Sequence, residues 1–169
     1  KAEKFAKDDS EFDGVFVSDE GRCLGEAEGK DNKSVDIRKF SQLQRNISED
    51  LARDEVEECA KGILFGNAYR LIPVEERGDF FTLKCVSAAK QNRVALVRTP
   101  DLFFPAKYLR EHPSDIEFAR RCREAIFAAE GEVVKFPEPP ESKDETETGM
   151  SDLTASDVLT DKARVTTNT

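Results

Sequence analysis

Short apolar runs alternate with amphipathic stretches along most of this chain. Near the start, Phe12–Val17 and Arg22–Glu28 have the character of β-strands, and the turn residues Ser18–Gly21 separate them. This arrangement predicts a β-hairpin. From Ser34 to Asp50 the apolar residues recur at near-helical spacing, which predicts an amphipathic helix.

The same alternation continues through the middle of the chain. Lys61–Gly66 is predicted as a buried strand, followed by a loop through Pro73 and a helix from about Asp79 to Gln91. Val94–Val97 is predicted as a further strand. Strands that alternate with helices in this way indicate an α/β or mixed-sheet fold.

The last predicted elements are two helices and an edge strand. Thr99 is the expected N-cap of a helix to about Arg110, with Pro100 at its first position. Ser114 is expected to cap a second helix, from Asp115 to Glu130, which Gly131 ends. The final strand is predicted at Val133–Phe136, and Phe80–Phe81 and Phe103–Phe104 are predicted to lie in the core.

Composition divides the chain into one domain and a tail. The 169 residues are 38% hydrophobic, enough for a single core, and we expect the domain to comprise residues 1–137. From Glu138 to Thr169 the chain is rich in Pro, Glu, Ser and Thr, and this segment contains eight acidic and three basic residues. We expect residues 138–169 to be a disordered acidic tail, which carries −5 of the net charge of −9.

No run approaches the roughly 20 apolar residues of a membrane helix, so no membrane partner is expected. The four cysteines stand far apart, which is typical of reduced thiols in a cytoplasmic protein. The chain begins at Lys1 and enters a strand-like run soon afterwards, so we expect an N-terminal element to be missing.

The chemistry-bearing residues cluster on the predicted hairpin. Asp13 lies on the first strand, and the run Glu26-Ala-Glu28-Gly-Lys30 follows on the second. Because side chains on a strand alternate between faces, Glu26, Glu28 and Lys30 share one face, and the hairpin brings Asp13 towards them. Converging carboxylates repel one another unless a divalent cation lies among them, and oxygen ligands select Mg²⁺ or Mn²⁺.

This cluster has two interpretations from spacing alone. In the first, Asp13, Glu26 and Glu28 are metal ligands, and Lys30 orients the attacking water or neutralises charge on a phosphate. In the second, the same residues form the solvated face of an edge hairpin with cross-strand ion pairs. Asp13 followed on the next strand by a Glu-x-Lys-like cluster resembles the PD-(D/E)XK nuclease superfamily, which favours the first interpretation.

The resemblance spans about Glu11 to Pro137. It implies a restriction-endonuclease-like three-layer core, with a central mixed β-sheet flanked by helices, in which the first core helix before Asp13 is missing. It also implies hydrolysis of nucleic acid, most of all DNA, with Mg²⁺ or Mn²⁺ as cofactor, in a bacterial protein with a fused or partner domain. Either Glu26-Ala-Glu28 is the motif with Glu in place of Lys, which we favour, or Glu28-Gly-Lys30 is.

The predicted helix after the hairpin resembles the superfamily's core helix, which often supplies a Gln or a Lys to the site. Gln42 is therefore a candidate catalytic residue, and Arg38 and Arg45 are candidate nucleic-acid contacts. The alternative for this helix face is ordinary solvation. The alternative for the whole protein is a catalytically inactive nuclease-fold module that binds DNA or a protein partner.

Overall fold

The fold starts with the predicted hairpin. In the computed structural model, which describes residues 13–140, β1 (Gly14–Ser18) pairs antiparallel with β2 (Gly21–Gly29). Gly21 closes the turn with a φ of +133°, a conformation that L side chains rarely adopt. The hairpin prediction is confirmed for the described residues, and its first residue, Phe12, lies outside them.

Two further strands extend the sheet in parallel. β3 (Lys61–Asn67) pairs with β2, and β4 (Ala95–Arg98) pairs with β3, which gives the strand order β1-β2-β3-β4. The connections carry helices α1 (Ile37–Leu51) and α2 (Leu83–Gln91). The chain therefore has an α/β fold with a mixed sheet, as the sequence predicted, and within residues 13–140 this sheet has four strands.

Helices α1 and α2 begin three to four residues later than predicted. Val35 forms an isolated parallel bridge with Phe81, so the segments before both helices are extended and pair with each other. The side chain of Asp36 then caps α1 by accepting a hydrogen bond from the Arg38 N–H. Thr82 caps α2 in the same way through the Cys85 N–H.

After β4, two predicted helix N-caps are wrong. Thr99 does not cap a helix, because a 3₁₀ turn at Thr99–Leu102 comes first and α3 (Phe103–Glu111) follows it. The cap of α4 (Ile116–Ala128) is Asp115 rather than Ser114, since the Asp115 carboxylate accepts from the Phe118 N–H. An aspartate directly before a helix fulfils the same role as the predicted serine.

The predicted strand Val133–Phe136 is wrong. This segment makes a single bridge, between Val133 and Leu96 of β4, with one main-chain hydrogen bond on each side of it. Pro137 and Pro139 follow and have no N–H group to extend the ladder. The segment covers the edge of β4 without becoming a fifth strand.

Helices cover both faces of the sheet. On one face, α1 and α2 pack on β1 to β4 through a buried cluster that includes Phe40, Leu43, Leu24, Leu64 and Leu96. On the other face, the end of α4 packs on a smaller cluster around Cys23, Ile63, Ala95 and Val97. The prediction for Phe80 and Phe81 is confirmed, because both are buried.

Phe103 and Phe104 are not core residues, since they are 63% and 68% exposed at the first turn of α3. Apolar content alone cannot show which face of a short helix meets the sheet. Among residues 13–140, no helix is long and apolar enough to cross a membrane. Of the predicted tail, residues 138–140 are described, and residues 141–169 lie outside the described residues.

Candidate active site

Asp13 and Glu26 meet beside the hairpin because of how the β1–β2 ladder ends. The last described pair joins Gly14 to Gly25, so the Ala27 N–H lies just beyond the ladder. This N–H donates a hydrogen bond of 2.9 Å to Asp13 Oδ2, which fixes the Asp13 carboxylate against β2. The carboxyl groups of Asp13 and Glu26 are then close enough for each to shift the pKa of the other.

Glu26 points into the interface between β2 and α1, where it is completely buried. The amide of Asn46, which is 1% exposed, donates a short hydrogen bond to Glu26 Oε1. Lys39 Nζ lies 3.1 Å from Glu26 Oε2 and 3.6 Å from Asp13 Oδ2. One ammonium group on α1 therefore bridges the acid on β2 and the acid just before β1.

The electrostatics of the three groups differ with their surroundings. Burial raises the pKa of Glu26, which the Lys39 ammonium offsets only in part, so Glu26 keeps its proton to higher pH than an ordinary glutamate. Burial also opposes ionisation of Asp13, but the Ala27 N–H, the Glu26 carboxyl and Lys39 together lower the pKa of Asp13. Burial opposes the charge on Lys39 as well, but the bond to Glu26 together with the negative charges of Glu26, Asp13 and Glu28 raises the pKa of Lys39.

A second ion pair supports the same helix face. Asp50 is completely buried, and both of its carboxylate oxygens bind the Arg22 guanidinium, at 2.7 and 2.8 Å. Arg22 and Glu26 lie on the same face of β2, and Asp50 and Asn46 lie one turn apart on α1. Two polar contacts within an apolar interface thus fix the register of α1 against β2.

Glu28 and Lys30 pair with each other at the end of β2. Among residues 13–140, no three Asp, Glu, His or Cys side chains come together as a potential metal site, so the predicted set of Asp13, Glu26 and Glu28 is not assembled as a group of three. Asp13 and Glu26 do meet. Of the two motif registers, Glu26-Ala-Glu28 places its first acid at the acid pair, whereas Glu28-Gly-Lys30 places an ion pair beside it.

The other candidates on α1 occupy its outer side. Arg38 pairs with Asp36 and is exposed, and Arg45 pairs with Glu49 and is exposed as well. Gln42 is half-buried one turn from Arg38. The structure thus leaves Arg38 and Arg45 accessible on the surface, and their roles in nucleic-acid binding stay predictions.

Lys39 and Asn46 were missed by the sequence analysis. Asn46 lies three positions after Leu43 on the buried stripe of α1, so a polar residue at an apolar position was the available signal. Lys39 lies four positions before Leu43 and is also on this side of the helix. Neither position could be matched to Glu26 until the docking of α1 on β2 was known.

The donor set suits a hard divalent cation. Two carboxylates from neighbouring strands converge on one positively charged group, and carboxylate oxygen is the ligand type that Mg²⁺ and Mn²⁺ prefer. Asp13 is 43% exposed, so the pair opens to solvent on the β1 side. Comparison with protein-family models, with curated proteins and with solved structures gives no match.

Proposed function

We propose that this domain hydrolyses phosphodiester bonds of nucleic acid, DNA in the first instance, with Mg²⁺ or Mn²⁺ held by Asp13 and Glu26. The observation that carries the proposal is the convergence of these two carboxylates on the Lys39 ammonium. The PD-(D/E)XK resemblance adds to it, and we propose that the three layers of helices and sheet are a restriction-endonuclease-like core. The reaction would take place at this acid pair.

Each residue of the site has a distinct task in this proposal. Asp13 and Glu26 supply oxygen ligands, and the Ala27 N–H and the Asn46 amide hold them in place. A bound Mg²⁺ polarises a phosphoryl oxygen and lowers the pKa of a bound water. Lys39 supplies a positive charge beside the acids, where it stabilises negative charge that develops on the phosphate.

In this proposal Lys39 supplies the positive charge that the motif's own lysine would supply in the favoured register. Glu28 stands there in this sequence and binds Lys30, so β2 itself offers no free ammonium at that position. Lys39 is one position after Arg38 on α1, and its Nζ reaches the acid pair from the helix side. The charge that the chemistry requires is thus available from a different element.

A plasmid-nicking assay tests the proposal. The wild-type protein should convert supercoiled plasmid to the nicked or linear form with Mg²⁺ or Mn²⁺, and a chelator should stop the reaction. Asp13→Asn and Glu26→Gln should each lower the rate by roughly 100-fold or more, since each removes a charged ligand. Glu117→Gln, at an exposed position at the start of α4, is the matched control and should cleave as the wild type does.

A second candidate function is nucleic-acid binding without cleavage. It is favoured by the absence of a three-carboxylate group within residues 13–140 and by Glu28 in the motif's lysine position. Gel-shift measurements with a labelled DNA duplex and an RNA duplex, read together with the cleavage assay, distinguish a nuclease from a protein that only binds nucleic acid. Binding that persists with a chelator, while no substrate is cleaved with either metal, would replace the enzyme proposal by this one.

A further inference from the structure

The acid pair contains a cation already, because Lys39 bridges it. Its ammonium lies 3.1 Å from Glu26 Oε2 and 3.6 Å from Asp13 Oδ2. A divalent ion bound by the same two oxygens would stand at about 2.0–2.6 Å from each of them. The ammonium and such an ion would therefore occupy overlapping positions between the two side chains, and two positive charges at that separation repel each other.

Burial adds a second constraint. Glu26 has no exposed surface, so a cation from solvent reaches its carboxylate only after a neighbouring side chain moves. The Asn46 amide holds Oε1 inside the β2–α1 interface and is itself buried. Lys39, bonded to Oε2, is 24% exposed and stands on the accessible side of the pair. Of these two partners of Glu26, Lys39 is the one that can swing towards solvent.

Lys39 also has an alternative partner. Glu28 is half-buried on the same face of β2, and its charge acts on Lys39 in the present arrangement. An ammonium released from Glu26 and Asp13 can move towards Glu28 or towards a phosphate oxygen of a bound nucleic acid. The exchange would therefore not leave the lysine without a counter-charge.

Resting on the proposed function, we propose that Lys39 is a built-in substitute cation that keeps the acid pair assembled without metal. Divalent-cation binding then displaces its ammonium from Asp13 and Glu26. The metal-free site is held in the metal-binding geometry at the cost of weaker metal binding, and binding moves the lysine to where a phosphate can use it.

Direct metal binding tests this exchange without any substrate. Mn²⁺ affinity is measured by titration of the full chain at pH 8, for the wild type, Lys39→Met and Lys39→Arg. Lys39→Met keeps the length of the side chain without its charge, and should bind Mn²⁺ roughly tenfold more tightly. Lys39→Arg should bind no more tightly than the wild type. Lys84→Met, at an exposed position on α2, is the charge-matched control and should leave the affinity unchanged.

A second measurement uses the wild-type protein alone, in case Lys39→Met does not fold. Amine acetylation is followed at each lysine by mass spectrometry, with and without saturating Mg²⁺. Mg²⁺ should raise the acetylation rate of Lys39 roughly threefold, since the displaced amine leaves its partly buried position between the two acids for a more exposed one, and should leave the rate at Lys84 unchanged.

The outcomes separate this inference from the proposed function. Tighter binding by Lys39→Met, or faster acetylation of Lys39 with Mg²⁺, supports the exchange. Equal or weaker binding by a folded Lys39→Met, with unchanged acetylation in the wild type, overturns it and leaves the metal-dependent nuclease in place. Binding that is absent in both the wild type and Lys39→Met, or that survives in Asp13→Asn/Glu26→Gln, overturns both.

Discussion

The buried hydrogen bond between Asn46 and Glu26 links the candidate site to the stability of the fold, so its contribution can be measured as a change in the free energy of unfolding. Asn46→Ala removes the donor to Glu26 Oε1 and leaves that oxygen without a partner inside the β2–α1 interface. Both residues are buried, at 1% and 0% exposure, so water cannot readily replace the amide. The change therefore tests whether this polar contact stabilises the docking of α1.

The magnitude follows from the kind of contact that is lost. Hydrogen bonds to charged groups contribute about 1.5–3 kcal/mol, and leaving a buried acceptor unsatisfied costs a similar amount. We expect Asn46→Ala to lower the free energy of unfolding by about 2–3 kcal/mol. In a Glu26→Ala background no carboxylate is left for the amide to bind, so Asn46→Ala should lower the free energy of unfolding by at least about 1 kcal/mol less than it does in the wild type.

Urea unfolding followed by far-UV circular dichroism measures all four proteins of this cycle, because the chain has no Trp to serve as a fluorescent reporter. Ser41→Ala, at an exposed position of α1, is the control and should lie within about 0.5 kcal/mol of the wild type. A coupling energy below about 0.5 kcal/mol would show that the Asn46 amide and the Glu26 carboxylate do not stabilise each other, and would refute the reasoning.

Three further predictions concern parts of the fold away from the acid pair. Gly131→Ala should destabilise the protein by about 2 kcal/mol or more in thermal unfolding, since φ is +81° and an added Cβ would lie 2.2 Å from the backbone of α2. Gly78→Ala, with ordinary contacts of 3.8 Å, should be nearly neutral. The Arg123 guanidinium lowers the pKa of Glu20 from 4.5 to about 2, so this pair stabilises the fold above pH 4.5, and that contribution is lost as the pH falls towards 2. Glu20→Gln should therefore flatten this acid limb in pH-dependent melting, and an unchanged limb would contradict the assignment. A thiol reagent at pH 8 should modify only Cys59 in the native protein and all four cysteines in urea, because the other three are buried; fast native labelling of more than one thiol would be inconsistent with this packing.

Much of the sheet could be predicted from local pattern. The strands β1 and β2 and the turn between them follow from alternation and turn residues within one short stretch. The starts of α1 and α2 could not, because the bridge between Val35 and Phe81 draws both preceding segments into extended structure. That bridge joins residues far apart in the chain, so the hydrophobic periodicity within either segment cannot predict it.

In the candidate site, too, the contacts within the hairpin could be predicted and those between helix and sheet could not. The approach of Asp13 to Glu26 was predictable, because both belong to one hairpin and strand alternation fixes their side. Lys39 and Asn46 come from the helix, and their partner depends on how α1 rotates and slides on β2. Local sequence shows only that Asn46 and Asp50 are polar residues at positions on the buried stripe. It does not show which strand residue each one meets.

The polar contacts of α1 connect the stability of the fold to the assembly of the site. The acids of the site come from β2 and from the residue before β1, whereas their cationic partner Lys39 comes from α1. Its position relative to the acids therefore depends on helix–sheet packing rather than on strand geometry. Asn46 and the Arg22–Asp50 pair fix that packing at two points beyond Lys39, so a shift of α1 along β2 would break them before it separated Lys39 from the acids. Buried polar contacts add little net stability compared with apolar residues of similar shape, but breaking one partner is costly. We infer that these contacts specify one docking position for α1, which is what a site assembled from two different elements requires.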